Sequence, residues 1–527
     1  MTGRPRVVVV TGGGGGIGAA IAESVGRTGA FVVTVDPLVS VDGAEKLPEP
    51  DETTAERIVA AGGIARASAV SVTDAAAVDQ LFGELVEEFG GLDAVVNVAG
   101  ISRPTSYARG SDADWLSVLS VHLDGYRNVL GAALPLMAAA GRGHILGVTS
   151  GSGWRSADAG AYGCAKRAVA SLTWQLGRHA PEGVVVNAIS PIAATRMVTA
   201  ALGRAHPTTS SVTGGLSLGS MPPADHLGPL SAHLVADTFT TCHGRVLFAV
   251  GSEVAVIEEP RLVEVVRSLN VPSPAHLLRA ATAVALAPAE THQVSGGGSN
   301  ARFGSIFDDC AADELPAAAA SLCAVVADLP EVTAAVSAVL EARGVTCRRV
   351  DTPAALADID ALDAVVVARA GGPNAKNAAS GWQRILGEHV GVVEHIDSDA
   401  RWTRTVTELA MLGDRPIRLV TVTDATTTGG RSRAQASAQL ARAGRKATGD
   451  LVLPFAVSVE SDDLPAELIA HLVCSPEAAA LAGAELVTGA GWFGLRSHPR
   501  PLGSISFGGP AIPGWFDEAL REVVQPQ

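Results

Sequence analysis

The chain has 527 residues, 47% of them hydrophobic and 18% charged, with a formal net charge of −15. That length suggests two domains or three, and that hydrophobic share excludes wholesale disorder. The acidic balance argues against a nucleic-acid binder that works by neutralising phosphates, and against attachment to an anionic membrane surface.

Cys164, Cys242, Cys310, Cys323, Cys347 and Cys474 form no Cys-x-x-Cys pair and show no metal-ligand spacing. They read as reduced thiols of a cytoplasmic protein without a metal site. No apolar run approaches the ~18 residues of a membrane helix. The chain enters a strand near Arg6, leaving no room for a signal peptide, and its Val-Val-Gln-Pro-Gln terminus carries no peroxisomal tripeptide. Lysine is scarce: Lys46, Lys166, Lys376 and Lys446 stand beside 35 Arg.

In chain order, Val7–Val10, Phe31–Val35, Ala94–Val98 and His144–Val148 are short, continuous β-branched runs, as buried parallel strands should be. Helical patterns lie between them, at about 17–28, 75–89, 112–139 and 160–179. This βαβ series predicts an α/β fold with a doubly wound parallel sheet. Leu277–Leu286 is expected as a short helix, and Val294-Ser-Gly-Gly-Gly-Ser-Asn300 as a flexible linker. The pattern then restarts, with a strand at Cys323–Ala327, a helix at 331–343 and a strand at Val345–Val350.

An internal repeat decides the architecture. Leu92-Asp-Ala-Val-Val96 recurs as Leu362-Asp-Ala-Val-Val366, and Ala232-His-Leu-Val235 as Ala470-His-Leu-Val473. Each occurrence of Ala-His-Leu-Val leads to a Gly (Gly244, Gly483), a strand, another Gly and a Pro-Arg pair (Pro260-Arg261, Pro499-Arg500). The expected organisation is a first Rossmann domain over 1–290, a linker over 291–318 and a second copy over 319–527.

Three features of the first half carry chemistry. Thr11-Gly12-x-x-x-Gly16-Ile17-Gly18 follows a strand and opens a helix, where glycines and free N–H groups can hold a diphosphate. Asp36 ends the second strand. It either caps a loop or accepts hydrogen bonds from an adenosine ribose, in which case it disfavours a 2′-phosphate and selects NAD(H). Tyr162-Gly-Cys-Ala-Lys166 puts a phenol and an ammonium on one helix face. The ammonium is expected to lower the Tyr162 pKa and fit it for proton exchange with a substrate oxygen. Ser150, with Ser152 as the competing assignment, can hydrogen-bond that same oxygen.

Together these features resemble the short-chain dehydrogenase/reductase family over about residues 5–260. Asn97-Val-Ala99-Gly100 stands where that family carries Asn-Asn-Ala-Gly. Ser190-Pro191-Ile192 stands where it carries Pro-Gly, and Thr195 where a Thr or Ser approaches the nicotinamide amide. Val72 follows Ser71, where the family often has an adenine-contacting Asp. The segment Pro37–Thr54 and the runs around Val121-His122-Leu123 and Pro191–Met197 are similar to the (3R)-hydroxyacyl-CoA dehydrogenase part of type 2 multifunctional β-oxidation enzymes. Gly489-Ala-Gly-Trp492-Phe-Gly494 in the second half resembles the end of that same domain. His122 replaces the Asn of the family's proton relay, and is either a relay member or a helix-packing residue.

The resemblance implies one NAD(H) per chain, bound in the first half. It also implies a secondary alcohol or ketone substrate, either a 3-hydroxyacyl thioester or a polyketide-like metabolite. Ala201–Met221 is expected to be a mobile lid. The second half has no Gly loop after its first strand and no Tyr, and Asp424 stands where Ser150 falls, so it is expected to be a degenerate, non-catalytic copy. Family members usually pair through the Tyr–Lys helix, so a tandem copy is expected to form an intramolecular pseudo-dimer, with a homodimer of whole chains besides. The alternatives are a second half that binds a carrier or partner, and a whole chain that is a nicotinamide-binding scaffold or sensor.

Overall fold

A computed structural model describes residues 4–155, 158–199, 221–271, 273–295, 315–328, 330–369, 371–509 and 511–525. The expected lid up to Ser220, and the expected linker from Gly296 to Glu314 with Cys310, lie outside the described residues.

Two sheets are present. The first half supplies β1 Val7–Thr11, β2 Phe31–Val35, β3 Ile64–Ser68, β4 Ala94–Asn97, β5 Gly143–Val148, β6 Val184–Ile192, β7 Val246–Val250, β8 Glu253–Ile257 and β9 Leu262–Arg267. The second supplies β10 Leu322–Ala327, β11 Thr346–Arg349, β12 Ala364–Arg369, β13 Ile417–Asp424, β14 Val452–Val459, β15 Glu485–Gly489, β16 Trp492–Arg496 and β17 Pro501–Ser506. The strand orders are β17-β8-β7-β6-β5-β4-β1-β2-β3 and β11-β10-β12-β13-β14-β15-β16-β9.

From β3 to β7, and from β11 to β15, neighbours run parallel, so both sheets are doubly wound. The repeated Leu-Asp-Ala-Val-Val segments occupy equivalent places. β4 pairs with β1 through Val8 and Ala94, and β12 pairs with β10 through Cys323 and Ala364. The central strands are Val-rich because helices cover both of their faces. Val7 to Val10 and Val365 to Val367 are all buried. The second sheet has no counterpart of β3 among the described residues.

The boundary expected at 290 does not divide the sheets. β9, from the first half, pairs antiparallel with β16 of the second sheet, Val265 opposite Gly494. In return β17 pairs antiparallel with β8 of the first sheet, Ile505 opposite Val254. The chain crosses at the two Pro-Arg pairs, so the repeated motif marks a reciprocal exchange of strands. The following helices go with them. The expected short helix is longer, running from Pro274 through a π turn at Thr282–Leu286 to Ser295. It buries Leu277, Leu278 and Ala281 in the second half's core, and Thr282 Oγ1 lies 2.8 Å from His471 Nε2. The helix Phe516–Val524 buries Phe516 and Leu520 in the first half's core, and His233 Nε2 lies 2.8 Å from Asp517.

The halves also meet through the helices Gly160–His179 and Thr428–Thr448. Cys164 Sγ contacts the Ala436 carbonyl at 3.7 Å, Arg167 Nε donates to Gln435 at 2.9 Å, and Gln175 Nε2 donates to Ser432 at 3.2 Å. Arg167 is fully buried and pairs with the buried Glu485 carboxylate at 2.5 Å. A small-residue contact completes the fit: a Cβ on Gly444 would sit 2.3 Å from the Tyr107 ring.

A fragment ending at residue 290 would therefore lack β17 and its helix, keep a strand that belongs to the other sheet, and expose the apolar Tyr162 helix. Expressed alone, it is expected to aggregate, lose activity, or dimerise through the vacated face. Co-expressed with residues 315–527, it is expected to form a one-to-one complex. Light scattering and turnover check both outcomes, and a soluble, fully active monomer of the fragment would contradict this reading.

Candidate active site

The C-terminal ends of β1, β2, β4, β5 and β6 open onto one cavity of about 1440 Å³. Its floor is the turn after β1. Gly12 has φ +65°, and a Cβ there would lie 2.8 Å from the Ala99 nitrogen. A Cβ on Gly18 would lie 2.0 Å from the Gly12 carbonyl oxygen, so only glycine permits this close turn. The helix Gly16–Gly26 begins there without a side-chain cap, which leaves its first N–H groups free to face the cavity. Thr11 Oγ1 donates to Asn97 Oδ1 at 2.8 Å and accepts from Ala99 N–H at 3.2 Å, fastening the turn to the end of β4. These residues fit a dinucleotide diphosphate.

Asp36 sits at the mouth of the same cradle. Its carboxylate accepts from Gly14 N–H at 3.0 Å and from Leu38 N–H at 2.9 Å, and it lines the cavity. Val72, Gly100, Pro191, Ile192 and Thr195 also line the cavity. Thr195 Oγ1 accepts from Val198 N–H at 3.2 Å, while its methyl lies 3.8 Å from where a Gly16 Cβ would be. Arg196 is a residue to which the sequence reading gave no role of its own. Its Nη2 lies 3.2 Å from where a Cβ on Gly15 would stand, so the guanidinium overhangs the glycine turn. The glycine run was the available signal, because a loop without side chains leaves room for a cation from elsewhere.

Tyr162 and Lys166 also line the cavity. Tyr162 and Lys166 share a face of the helix Gly160–His179, with the ammonium 5.6 Å from the phenol ring centroid. Lys166 Nζ donates to the Val148 carbonyl at 2.7 Å. Ser150 follows the end of β5 and hydrogen-bonds the Tyr162 side chain, whereas Ser152 donates its N–H to Ser150 Oγ at 3.3 Å. The geometry thus pairs Ser150, not Ser152, with the tyrosine.

One expectation is corrected. Burial raises the Tyr162 pKa, and the Ser150 hydrogen bond only partly opposes this. Lys166 does not draw it down, because burial pushes the lysine itself down to about 7.

His122 falls in a π turn, Ser120–Asp124, that interrupts the helix expected as continuous over 112–139. Its Nε2 lies 2.8 Å from the Ile101 carbonyl, which can only accept, so Nε2 carries the proton and Nδ1 is an acceptor. Burial and the Lys166 charge hold His122 well below its usual pKa, so it is neutral. Its ring meets Tyr162 edge-on, with centroids 5.0 Å apart. A Cβ on Gly100 would lie 2.3 Å from His122 Cε1, so this seat depends on that glycine.

In the second half the corresponding strand ends are bridged. Arg369, ending β12, donates to Asp328 after β10 at 3.0 Å and to Ser398 at 3.1 Å. Asp424, at the Ser150 position, accepts from Thr426 N–H at 2.8 Å.

The family model for short chain dehydrogenases matches residues 6–204. The short-chain reductase protein NovJ of Streptomyces niveus is 37% identical over 194 residues, which is 36% of this chain and 71% of that relative. The chain belongs to the short-chain dehydrogenase/reductase family. This short-chain dehydrogenase/reductase is also 33% identical over 251 residues to peroxisomal multifunctional enzyme A of Dictyostelium discoideum, covering 47% of this chain and 53% of the relative. It therefore spans about half of that multifunctional protein. A crystal structure of a short chain dehydrogenase from Mycobacterium avium aligns with 32% identity and a TM-score of 0.39, over 48% of this chain and 85% of that one. Like these relatives the chain is an oxidoreductase, and no helix among its described residues is long and apolar enough to cross a membrane.

The buried lysine gives a pH test. Between about 7 and its ordinary 10.5, Lys166 binds a proton in the unfolded chain but not in the folded one. Stability should therefore rise with pH across that window. Denaturant midpoints at about pH 7.5 and pH 9.5 should separate more in the wild type than in Lys166→Met. Equal separations would contradict the assignment.

Proposed function

We propose that the first half interconverts a secondary alcohol and a ketone with NAD(H), one nucleotide per chain, on a 3-hydroxyacyl thioester or a polyketide-like metabolite. The observation that carries this reading is the meeting of Ser150, Tyr162 and Lys166 in one cavity with the glycine cradle. The nicotinamide, when bound, supplies or takes the hydride. Asn97 and Thr11 hold the cradle, while Gly12, Gly16, Ile17, Gly18, Ala99 and Gly100 line the path of the dinucleotide. Arg196 is placed to neutralise the diphosphate, and Asp36 to accept from the adenosine ribose. Val72, Pro191, Ile192 and Thr195 complete the walls.

Ser150 Oγ donates to the substrate oxygen and orients it. The Tyr162 hydroxyl transfers the proton at that oxygen, to it in reduction and from it in oxidation. A protonated Lys166 would stand beside the phenolate that forms and balance its charge. His122, neutral and accepting at Nδ1, positions the tyrosine ring and offers a return path for the proton. The second half, without a cradle or a Tyr, is non-catalytic and takes the place of a partner subunit. The chain's relatives include a hydroxyacyl-CoA dehydrogenase of Mycobacterium tuberculosis and a 3-oxoacyl-[acyl-carrier-protein] reductase of Synechocystis, which supports the thioester class.

Two measurements test this. Tyr162→Phe keeps the ring and removes the proton, so turnover should fall by ~10²–10⁴-fold while NADH still binds. Undiminished activity would show that another acid operates, with His122 the first to examine. By calorimetry NADH should bind more tightly than NADPH, at one site per chain. Tighter NADPH binding would sink the role given to Asp36, and two sites would sink the non-catalytic second half.

A further inference from the structure

The second half touches the cavity directly. Lys446, on the helix Thr428–Thr448, is among the residues that line it. Gln439, Arg442 and Lys446 stand at i, i+3 and i+7, which is one stripe of that helix. The first two of them grip the loop that follows Ser150. Gln439 Nε2 donates to the Ser152 carbonyl at 3.0 Å and to the Arg155 carbonyl at 3.1 Å, and Arg442 Nη1 donates to the Trp154 carbonyl at 2.5 Å. The stripe thus directs Lys446 toward the loop that carries Arg155. The Arg155 side chain folds back along this loop, with Nε 3.2 Å from where a Cβ on Gly151 would sit, beside Ser150.

Charge distinguishes these two groups. The chain carries −15 overall, and the cavity's Arg103 is already paired with Asp114 at 2.9 Å. Arg155 and Lys446 are exposed, and among the described residues neither side chain has an acidic partner. Arg445, next to Lys446, is matched instead by Asp450 at 3.3 Å. Two cations from different halves, neither with an acidic partner among the described residues, thus line one cavity.

We propose that the second half is part of the substrate site: Lys446, with Arg155, binds an anionic group on the substrate, a carboxylate or a phosphate. This rests on the oxidoreductase reading of the Ser150–Tyr162 site and adds the substrate's charge class. Gln439 and Arg442 are positioning residues for the Ser150–Arg155 loop.

The test uses the full chain, NADH and three compounds that share a 3-oxobutanoyl unit: acetoacetate, with a carboxylate; acetoacetyl-CoA, with phosphates; and ethyl acetoacetate, with no charge. The readout is the ratio of kcat/KM for a charged compound to that for the ester. Lys446→Ala should lower this ratio by about 5-fold through KM, the effect expected of one partly solvated ion pair. Lys446→Glu should lower it further, and Lys446→Arg should restore it. Whichever charged compound responds identifies the carboxylate or the phosphate as the anion. An unchanged ratio for both in Lys446→Ala and Lys446→Glu overturns the proposal. If the wild type reduces none of the three, the thioester or ketone assignment fails on its own. Calorimetric binding of coenzyme A and of acetoacetate to the NADH-saturated protein then decides the anion site: loss of binding in Lys446→Glu supports it, and no binding to the wild type, or binding unaltered in the variant, overturns it.

Discussion

One helix does two incompatible jobs, and the rest of the structure follows from that. Gly160–His179 must present Tyr162 and Lys166 to the cavity, yet its other faces are mostly Ala, Val, Leu, Cys and Trp, interrupted by the buried Arg167, Ser171, Thr173 and Gln175. From Gly163 to Gln175 every residue is buried. Such a helix cannot face water on the side away from the active site, because an apolar surface of that extent drives association. The second half covers it, and a buried ion pair fixes the alignment. Arg167 and Glu485 have both left water, and removing either partner alone would strand the other charge at a cost of about 3–5 kcal/mol. The same cross-contact holds the loop after Ser150, so the interface and the active site share backbone.

The reciprocal exchange of β9 and β17 makes this association permanent. Each sheet is finished by a strand from the other half, and each exchanged strand carries a helix into the other half's core. Neither half can close its own sheet. An exchange of identical elements between protomers is a low-cost route to a dimer, and joining the two copies in one chain holds them together at any concentration. Once joined, the two copies need not do the same work. In the first, the strand ends open onto a cavity. In the second, Arg369 and Asp328 close across the equivalent ends. What the second half supplies to the first is a helix to cover and a strand to lend.

The sequence made much of this legible and left the rest to tertiary structure. The helices at 75–89 and 160–179 were readable to the residue, because Asp74 caps the first and the Tyr–Lys pair sits in a long apolar pattern. The repeat of Leu-Asp-Ala-Val-Val was readable, and both occurrences form the strand that lies against the first strand of a sheet. The exchange was not readable. Leu262–Arg267 looks like any edge strand, and nothing in its own residues says which of two similar sheets it joins. The π turn at Ser120–Asp124 was hidden because one extra residue in a helical turn leaves the apolar period almost intact. Lys446 and Arg196 were missed for a related reason. Each lies far along the chain from the motif it approaches, so only the folded arrangement reveals the company it keeps.

The direction of the shifts at Tyr162, Lys166 and His122 bears on how the site can move a proton. Burial favours the neutral form of all three, raising the tyrosine and lowering the lysine and the histidine. A lone phenolate in this cavity is therefore unfavourable, and so is a lone ammonium. The phenolate and ammonium together carry no net charge, and they are the one ionised combination of that pair which burial tolerates. In the proposed reaction, loss of the Tyr162 proton to a substrate oxygen is then favoured while Lys166 carries its own proton. On that reading the shared helix face keeps the two charges together, and burial, which pushes Lys166 down to about 7, puts its protonation midpoint near neutrality. It also gives His122 a reason to be neutral with Nδ1 accepting. A third charge beside the pair would spoil the balance, whereas a neutral acceptor can guide a proton past it. A histidine in that seat needs the space that Gly100 leaves, so the proton chemistry of this site reaches back to the glycine at the end of Asn-Val-Ala-Gly.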